Sequence, residues 1–299
     1  MRRRFVTLDV FTSRRFAGNP LAVVLEAEGL SGDAMQTIAR EFNLSETVFV
    51  LPPENAAHRA KLRIFTPGAE LPFAGHPTVG TAVLLGRIDA KGGSKDMVLE
   101  ESVGPVRCRV EPAEVDSGRA SFDLPRLPEH RGEAGDAVDI AAALTLEPDD
   151  LGCEDFEPGK WAAGVPFAMI PVRGLDAIGR SRSNLAVWDT AFGTPRPTGP
   201  FLFCRETVEA GHAFHARMFA PHMGITEDPA TGSAAAAFAG LIAQHENLAD
   251  GSHEFTIEQG YEMGRPSQIR LTLTIQRGAL AGATIGGDAV VVSEGTIEA

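Results

Sequence analysis

The chain has 299 residues and a net charge of −13, because 27 Lys and Arg residues stand against 40 Asp and Glu residues. Its 43% hydrophobic and 22% charged residues are ordinary for a globular protein and argue against a disordered or fibrous chain. The acidic balance disfavours nucleic acid and anionic membrane surfaces as partners.

The predicted elements are short strands interspersed with a few helices. Apolar periodicity in the first part of the chain predicts strands at Phe5–Val10, Thr47–Leu51, Lys61–Phe65, Val106–Val110 and Ala120–Leu124, with helices at Asp33–Glu41 and Pro77–Leu85. The second part predicts strands at Phe167–Val172, Phe201–Arg205, Ala213–Phe219, Phe255–Gln259, Gln268–Gln276 and Ala289–Val292, with helices near Ala137–Leu144 and at Ser233–Gln244. The stretch Pro125–Asp136, rich in Pro, Gly and charge, is predicted to be a linker.

An internal repeat divides the chain. Glu70-Leu-Pro-Phe-Ala-Gly-His76 and Glu227-Asp-Pro-Ala-Thr-Gly-Ser233 match at Glu, Pro and Gly with an offset of 157 residues, and a helix follows each. Matching strands that begin at Arg63 and Arg217 precede the two copies. The chain is therefore interpreted as two copies of one unit, with a break near residue 128.

Each repeated loop leads directly into a predicted helix, whose free N–H groups and dipole can hold an anion. His76 and Ser233 are predicted at the N-cap positions, and Ser233 could act as a cap alone. Asp228 could form a turn or contact an amine or hydroxyl of a ligand. Glu70 and Glu227 occupy equivalent positions, which predicts the same structural role for both.

Other motifs are mostly missing from the sequence. There is no G-x-S-x-G nucleophile elbow and no phosphate-binding G-x-x-x-x-G-K-[ST] loop. His212 and His215 fall in a predicted strand, which would direct them to opposite faces, so a metal site with His222 is disfavoured. By its position alone, Glu46 would be a surface charge at the edge of a strand.

In combination, these motifs resemble the phenazine-biosynthesis PhzF family. The residues that carry the resemblance run in order through nearly the whole chain: Phe16-Ala-Gly-Asn-Pro20, Asn43-Leu-Ser-Glu-Thr47, Gly75-His-Pro-Thr78, Glu227–Ser233, Glu258-Gln-Gly-Tyr-Glu-Met-Gly-Arg-Pro266 and Ile285-Gly-Gly287.

The resemblance implies a diaminopimelate-epimerase-like α/β fold of the α+β type. Two pseudo-symmetric domains are expected, each a curled, mostly antiparallel sheet around a central helix, with the active site in the cleft between them. The expected domains are residues 1–128, joined by the C-terminal strand 287–299, and residues 129–286.

The resemblance also implies the chemistry. A single glutamate, matching Glu46, would shuttle a proton between two carbons of a small cyclic amino or hydroxy carboxylic acid of the dihydro-hydroxyanthranilate type. His76 and Asp228 are the other expected catalytic residues. The expected substrate-binding residues are Asn19, Ser45, Gly75, Gly232 and Ser233. Burial would raise the pKa of the glutamate so that it serves as base and then as acid. Neither a cofactor nor a metal is expected.

Three alternatives stay open. Another proton-transfer enzyme, an epimerase or lyase on a different small carboxylate, is possible, but the two catalytic cysteines of related epimerases are replaced by Ala74 and Thr231. A small-carboxylate binding protein without turnover is the second. A hydrolase with Ser233, His76 and Asp228 as a triad is the weakest.

The expected partner is a small-molecule carboxylate substrate, without nucleic acid or membrane. Cys108, Cys153 and Cys204 form no C-x-x-C pair, so neither a disulfide framework nor a zinc ribbon is predicted. This usage, with no signal peptide evident, predicts a cytoplasmic protein. The resemblance implies a homodimer.

Overall fold

A computed structural model describes residues 1–89, 94–114, 116–193 and 197–299. Its internal contacts divide the chain into a first unit, Met1–Pro125 with Ile285–Ala299, and a second unit, Arg126–Thr284. Both boundaries lie within three residues of the ends predicted from the sequence at 128 and 286. The C-terminal segment therefore belongs to the contacts of the first unit rather than the second.

The first unit contains most of its elements before residue 125. In chain order they are β1 (Arg2–Val10), β2 (Asn19–Val24), α1 (Gly32–Phe42), β3 (Glu46–Leu51), β4 (Ala60–Phe65), β5 (Glu70–Leu71), α2 (Gly75–Ile88), β6 (Lys95–Glu101), β7 (Gly104–Glu114) and β8 (Ser117–Asp123). Every strand and helix predicted for this part of the chain is present, with ends displaced by a few residues.

The second unit follows the same plan with more helices. Its elements are β9 (Glu129–Glu133), α3 (Ala137–Leu144), a 3₁₀ turn (Pro148–Asp150), β10 (Gly159–Ala162), β11 (Pro166–Pro171), α4 (Leu175–Arg180), α5 (Trp188–Phe192), β12 (Gly199–Cys204), β13 (Phe214–Ala220), a 3₁₀ turn (Pro221–Met223), β14 (Ile225–Asp228), α6 (Gly232–His245), β15 (Gly251–Gln259) and β16 (Ser267–Gln276). The last strand, β17 (Ala279–Glu298), begins in this unit and ends in the first.

The strands of the first unit surround α2. Antiparallel pairs predominate, while β2 with β3 and β4 with β6 are parallel. Because β17 pairs with both β1 and β8, the strand order closes on itself. Helix α2 packs against β1, β2, β3, β6, β7 and β8. It is apolar on all sides, which is the pattern of a helix buried in a core.

Helix α6 has the corresponding place in the second unit. It packs against β9, β10, β11 and β16, and its residues from Ala234 to Ile242 are buried. The parallel pairs here are β11 with β12 and β13 with β15, and the other pairings are antiparallel. The expectation of mostly antiparallel sheets around a central helix is confirmed in each unit.

The linker prediction is wrong in part. Residues Glu129–Glu133, inside the predicted linker, form β9 and pair with β10 through His130 opposite Trp161. Their side chains stay largely exposed, so no apolar alternation marks the strand. Backbone pairing with β10 and a ring contact between His130 and Trp161 hold it. Among the described residues the longest helices have 14 residues, and none could span a membrane.

Candidate active site

Asn19 opens β2 at the end of a constrained turn. The turn residue Gly18 has φ +64°, and a Cβ there would lie 2.3 Å from the carbonyl oxygen of Val10. Only glycine fits this close approach without strain. Asn19 is fully buried. Because β2 runs parallel to β3, with Leu21 opposite Glu46, Asn19 and Glu46 lie near the same edge of the sheet.

Glu46 and His76 are in contact. Glu46 is the first residue of β3, directly after the partly buried Ser45, and His76 is the second residue of α2. His76 Nε2 lies 3.2 Å from Glu46 Oε2, with the side chains 5% and 13% exposed. Glu46 is therefore not a solvated surface charge, contrary to what its position alone predicts.

The imidazole of His76 is neutral near pH 7. Burial is the main cause, and it lowers the pKa of His76 to about 3 although a hydrogen bond to the backbone of Pro20 opposes the change. The Pro20 carbonyl can only accept, so the ring nitrogen that faces it, Nδ1, carries the proton. The other nitrogen, Nε2, then carries a lone pair and lies 3.2 Å from Glu46 Oε2, without a hydrogen bond between the two atoms. One proton between Glu46 and His76 would relieve the repulsion of their lone pairs.

The N-cap prediction for His76 and Ser233 is wrong. The caps are Ala74 and Thr231, so Gly75 and Gly232 are the first helical residues and His76 and Ser233 the second. Pro77 is thus the third helical residue, where a missing N–H still breaks no bond. Neither cap side chain accepts a hydrogen bond from its helix, and neither first turn contains an acidic residue. Both helix starts can therefore attract an anion.

Asp228 ends β14 and is held by the loop that follows it. Thr231 Oγ1 donates to Asp228 Oδ2 over 2.6 Å. The fully buried Gln259 accepts from Thr231 N over 3.0 Å and donates to Asp228 O over 2.7 Å and to Thr231 Oγ1 over 2.9 Å. Gly260 allows close packing here, since a Cβ would lie 2.6 Å from the carbonyl oxygen of Pro229.

The structural role predicted for Glu70 and Glu227 is confirmed. Glu70 accepts two hydrogen bonds of 2.7 Å from Arg63. Glu227 accepts bonds of 2.8 and 2.7 Å from Arg217. Each arginine therefore forms a bidentate pair of the same kind, which holds the strand before each repeated loop to the loop itself.

The prediction that His212 and His215 point to opposite faces is wrong. His212 lies before β13, not in it, so strand alternation does not apply to it. His212 Nδ1 lies 2.7 Å from Glu258 Oε1, and His215 Nδ1 lies 2.9 Å from Glu258 Oε2. His215 Nε2 also lies 3.0 Å from Glu262. No group of three or more such side chains in the described part of the chain could hold a metal ion.

Sequence reasoning missed Gln259, Glu101 and the pair of His215 with Glu262. The repeat contained the signal for the first two. Glu100-Glu101 and Glu258-Gln259 are related by an offset of 158 residues, and they end the equivalent strands β6 and β15. Extending the repeat beyond its loops would have indicated both positions.

Known proteins match this chain over nearly its whole length. The family model for the phenazine biosynthesis-like proteins, PhzC-PhzF, matches residues 8–295. An uncharacterized isomerase of Mesorhizobium japonicum is 51% identical, with 99% of this chain and 98% of that protein aligned. A trans-2,3-dihydro-3-hydroxyanthranilate isomerase of Pseudomonas chlororaphis is 35% identical over 98% of both chains.

A solved structure extends this agreement to the fold. The crystal structure of a Bacillus anthracis phenazine biosynthesis protein of the PhzF family superposes with a TM-score of 0.90, at 27% identity and over 100% of both chains. Fold and sequence thus agree over the whole length, and the chain belongs to the phenazine biosynthesis-like PhzF family and is an isomerase.

Proposed function

We propose that this enzyme is a cofactor-independent isomerase that moves a proton between two carbons of a small cyclic amino or hydroxy carboxylic acid, with Glu46 as general acid and base. The observation that supports this most is the 3.2 Å contact between Glu46 and His76 at a largely buried position. A carboxyl group beside a neutral imidazole can lose and regain one proton without creating a buried pair of charges.

The proposed step needs no other reactant. The Glu46 carboxylate takes a proton from one ring carbon, and the C–H electron pair shifts into the ring as the double bond moves. The same carboxyl group then returns the proton to a second carbon. His76 would orient Glu46 by accepting its proton at Nε2, while the bond from Nδ1 to Pro20 fixes the ring.

The substrate carboxylate would be held by helix N-termini. The first turn of α2, from Gly75, has free N–H groups and no competing acidic residue. Asn19 and Ser45 flank Glu46 in the same unit and are proposed substrate contacts. Gly232, Ser233 and Asp228 in the second unit are proposed to bind the substrate carboxylate and its amine or hydroxyl, as the resemblance implies.

Epimerisation by two thiols is not supported by the residues at the helix starts. Ala74 and Thr231 stand at the two N-caps. The three cysteines of the chain, Cys108, Cys153 and Cys204, are buried elsewhere, and burial raises the pKa of each thiol. Thiols of raised pKa supply little thiolate and make poor bases at neutral pH.

Two relatives suggest the substrate to try first. The isomerases of Pseudomonas chlororaphis and Pseudomonas aeruginosa, 35% and 34% identical, are named for trans-2,3-dihydro-3-hydroxyanthranilate. We propose a substrate of that chemical class. The homodimer and the cytoplasmic location stay predictions, and light scattering coupled to size-exclusion chromatography tests the first.

Deuterium wash-in tests the mechanism. The enzyme is incubated in heavy water with trans-2,3-dihydro-3-hydroxyanthranilate and related cyclic amino and hydroxy acids, and exchange is followed by mass spectrometry. Glu46→Gln should reduce exchange by about 10²–10⁴-fold, the usual contribution of a general acid–base group. The control is Glu41→Gln, which changes an exposed glutamate of the same unit and should leave exchange intact.

The outcomes of this experiment distinguish the proposed isomerase from a binding protein and from an epimerase. Exchange that survives Glu46→Gln rules out Glu46 as the base. Binding of these acids without exchange favours a binding protein, and exchange at a stereocentre without a double-bond shift favours an epimerase.

A further inference from the structure

Glu101 and Gln259 occupy equivalent positions in the two units. Each ends a strand, β6 or β15, that runs parallel to the strand before a repeated loop. Each follows a glutamate, Glu100 or Glu258, that accepts hydrogen bonds from two backbone N–H groups of a turn. Each contacts the first turn or the cap of its central helix. One position thus holds a carboxyl group in the first unit and an amide in the second.

The amide of Gln259 shows that the side chain at this position both accepts and donates hydrogen bonds. Gln259 both accepts and donates, and all its contacts are with the cap Thr231 and the preceding Asp228. A carboxylate cannot donate, whereas an undissociated carboxylic acid can. A glutamate that performs the same task must therefore keep its proton.

The contacts of Glu101 meet this requirement. Thr78 Oγ1 lies 2.7 Å from Glu101 Oε1 and 2.7 Å from the carbonyl oxygen of Ala74. The threonine hydroxyl has one hydrogen, and the carbonyl can only accept. If Thr78 donates to Ala74, the hydrogen of the other contact comes from Glu101. Only an undissociated Glu101 satisfies both contacts without opposing lone pairs.

The surroundings of Glu101 disfavour its charge. The residue is 6% exposed, and no donor among the described residues bonds its Oε2. Its Oε1 contacts the Thr78 hydroxyl of α2, and its charge adds to the raised pKa of the buried Cys108 thiol on β7. The causes that shift its own pKa are burial and the bond from Thr78. Burial raises the pKa of Glu101 to about 8, although the bond from Thr78 opposes the change.

We propose that Glu101 is a positioning residue for His76 that works as an undissociated carboxylic acid, donating its hydrogen to Thr78 Oγ1 while the Thr78 hydroxyl donates to the carbonyl of Ala74. Ala74 is the cap of α2, and His76 lies two residues further on. When Glu101 ionises, Thr78 turns its hydrogen toward the carboxylate. Ala74 O then keeps only the 3.2 Å bond from Thr78 N, and the turn that carries His76 loosens.

Nuclear magnetic resonance tests the proposal without a substrate. The carboxyl carbon that disappears in Glu101→Gln should titrate near pH 8, far above the usual glutamate value of about 4.3. The ring signals of His76, assigned by their absence in His76→Gln, should shift over the same range. The titration of His76 itself does not cause this shift, because its pKa is about 3. In Glu101→Gln the part of the His76 shift that follows the carboxyl titration near pH 8 should be missing.

A second measurement uses stability. A raised pKa in the folded state means that stability is full below the unfolded value and is lost as pH rises to the folded value. From about pH 4.5 to about 8 the unfolding constant of the wild type, relative to Glu101→Gln, should rise about tenfold per pH unit and then level off. Thr78→Val should remove the response of His76, and Thr78→Ser should retain it.

The titration and stability tests do not depend on the proposed function, so this proposal can fail while the proposed function holds. Only the effect of Glu101 on catalysis rests on the proposed function. If the isomerase reaction is confirmed, the wild-type kcat should fall as pH rises through about 8, and this fall should be missing in Glu101→Gln. A carboxyl titration near 4.3, or His76 signals that ignore Glu101, would overturn the proposal even if the enzyme is an isomerase.

Discussion

Each unit contains a turn whose two backbone N–H groups donate to one glutamate, but the side chains around this turn differ between the units. In the first unit Glu100 accepts from two backbone N–H groups, at 2.7 and 2.8 Å, and contacts His58 Nδ1 at 2.8 Å. In the second unit Glu258 accepts from two backbone N–H groups, at 2.8 and 2.7 Å, and contacts His212 Nδ1 at 2.7 Å. The hydrogen-bonding pattern of the turn is thus conserved between the two halves.

The difference lies three residues after each histidine. In the first unit this position holds Lys61, which is 38% exposed and contacts Glu54. In the second it holds His215, which is 1% exposed and lies between Glu258 and Glu262. The same turn is therefore a surface feature in one unit and part of a buried ionic network in the other. The backbone bonds specify the turn, and burial sets how much the side chains contribute.

Replacement of His215 should have the largest effect on stability. His215→Gln removes the cation between the buried Glu258 and the partly exposed Glu262, which should lower the free energy of unfolding by about 3 kcal/mol, the lower end of the range for breaking a buried pair. Lys61→Gln, the equivalent change in the first unit, should lower it by less than about 1 kcal/mol. Urea denaturation followed by circular dichroism measures both. Equal losses in His215→Gln and Lys61→Gln would show that burial does not change how much this side chain contributes to the free energy of unfolding.

The pH dependence of stability should show the same contrast. Burial disfavours the charged form of His215, but hydrogen bonds with Glu258 and Glu262 outweigh it and raise the pKa to about 9. The stability that this imidazolium provides is complete below about pH 6.5 and is lost as pH rises to about 9. The loss amounts to about 3 kcal/mol at 1.36 kcal/mol per unit.

Melting curves from pH 6 to about 8.5 test that expectation in the Glu101→Gln background, which removes the buried carboxyl group of raised pKa. The buried thiols, whose pKa values are also raised, lower stability only above their unfolded value of about 8.5. Adding His215→Gln should flatten the curve. A slope that persists in the double variant would assign the titration to another group.

The two arginine pairs should differ by a smaller amount. Arg217 and Glu227 are 3% and 13% exposed, whereas Arg63 and Glu70 are 27% and 36% exposed. Glu227→Gln should lower the free energy of unfolding by about 2 kcal/mol, since a charge-assisted bond to a buried arginine weakens. Glu70→Gln should lower it by about 0.5 kcal/mol, the usual scale of a pair near solvent. Denaturant midpoints of the two variants give the comparison directly.

The two helix caps should also differ in what they contribute to stability. Thr231→Ala gives the second helix the cap residue of the first, Ala74. It removes two hydrogen bonds of the Thr231 hydroxyl, the one to Asp228 Oδ2 and the one from Gln259 Nε2. The free energy of unfolding should fall by about 2 kcal/mol, since each of the two hydrogen bonds typically contributes about 1 kcal/mol net. If Asp228 also binds substrate, KM should rise more than kcat falls. An unchanged KM would separate the Thr231 bond from the proposed role of Asp228.

Some features of the site were predictable from the sequence because they repeat. The symmetric positions of Glu70 and Glu227 predicted a shared structural role, and both accept a bidentate arginine. The two helix starts were predicted to within two residues, since glycine and proline mark helix boundaries locally. Glu46 was identified as a candidate only through the family motif, because the spacing around it predicts a surface charge.

Other features depend on contacts between residues far apart in the chain. Strand alternation places Glu101 on the buried face of β6 with Met97 and Leu99, but nothing near it indicates that Thr78, 23 residues earlier, makes its bond. His212 and His215 converge on Glu258, more than 40 residues later, because β13 and β15 pair in parallel. The strand β9 has too few apolar residues to be recognised by periodicity.

The sequence by itself determined many of the elements, the duplication and the family, because helix and strand periodicity, turn residues and repeated motifs are local properties of the chain. Tertiary structure alone decided which charges are buried and which partners they meet. It made His76 neutral, placed Glu46 against it, and gave Glu101 a place where a carboxyl group is favoured in its protonated form. The physical reason is that the free energy of a charge depends on solvent exposure and on neighbours supplied by distant strands.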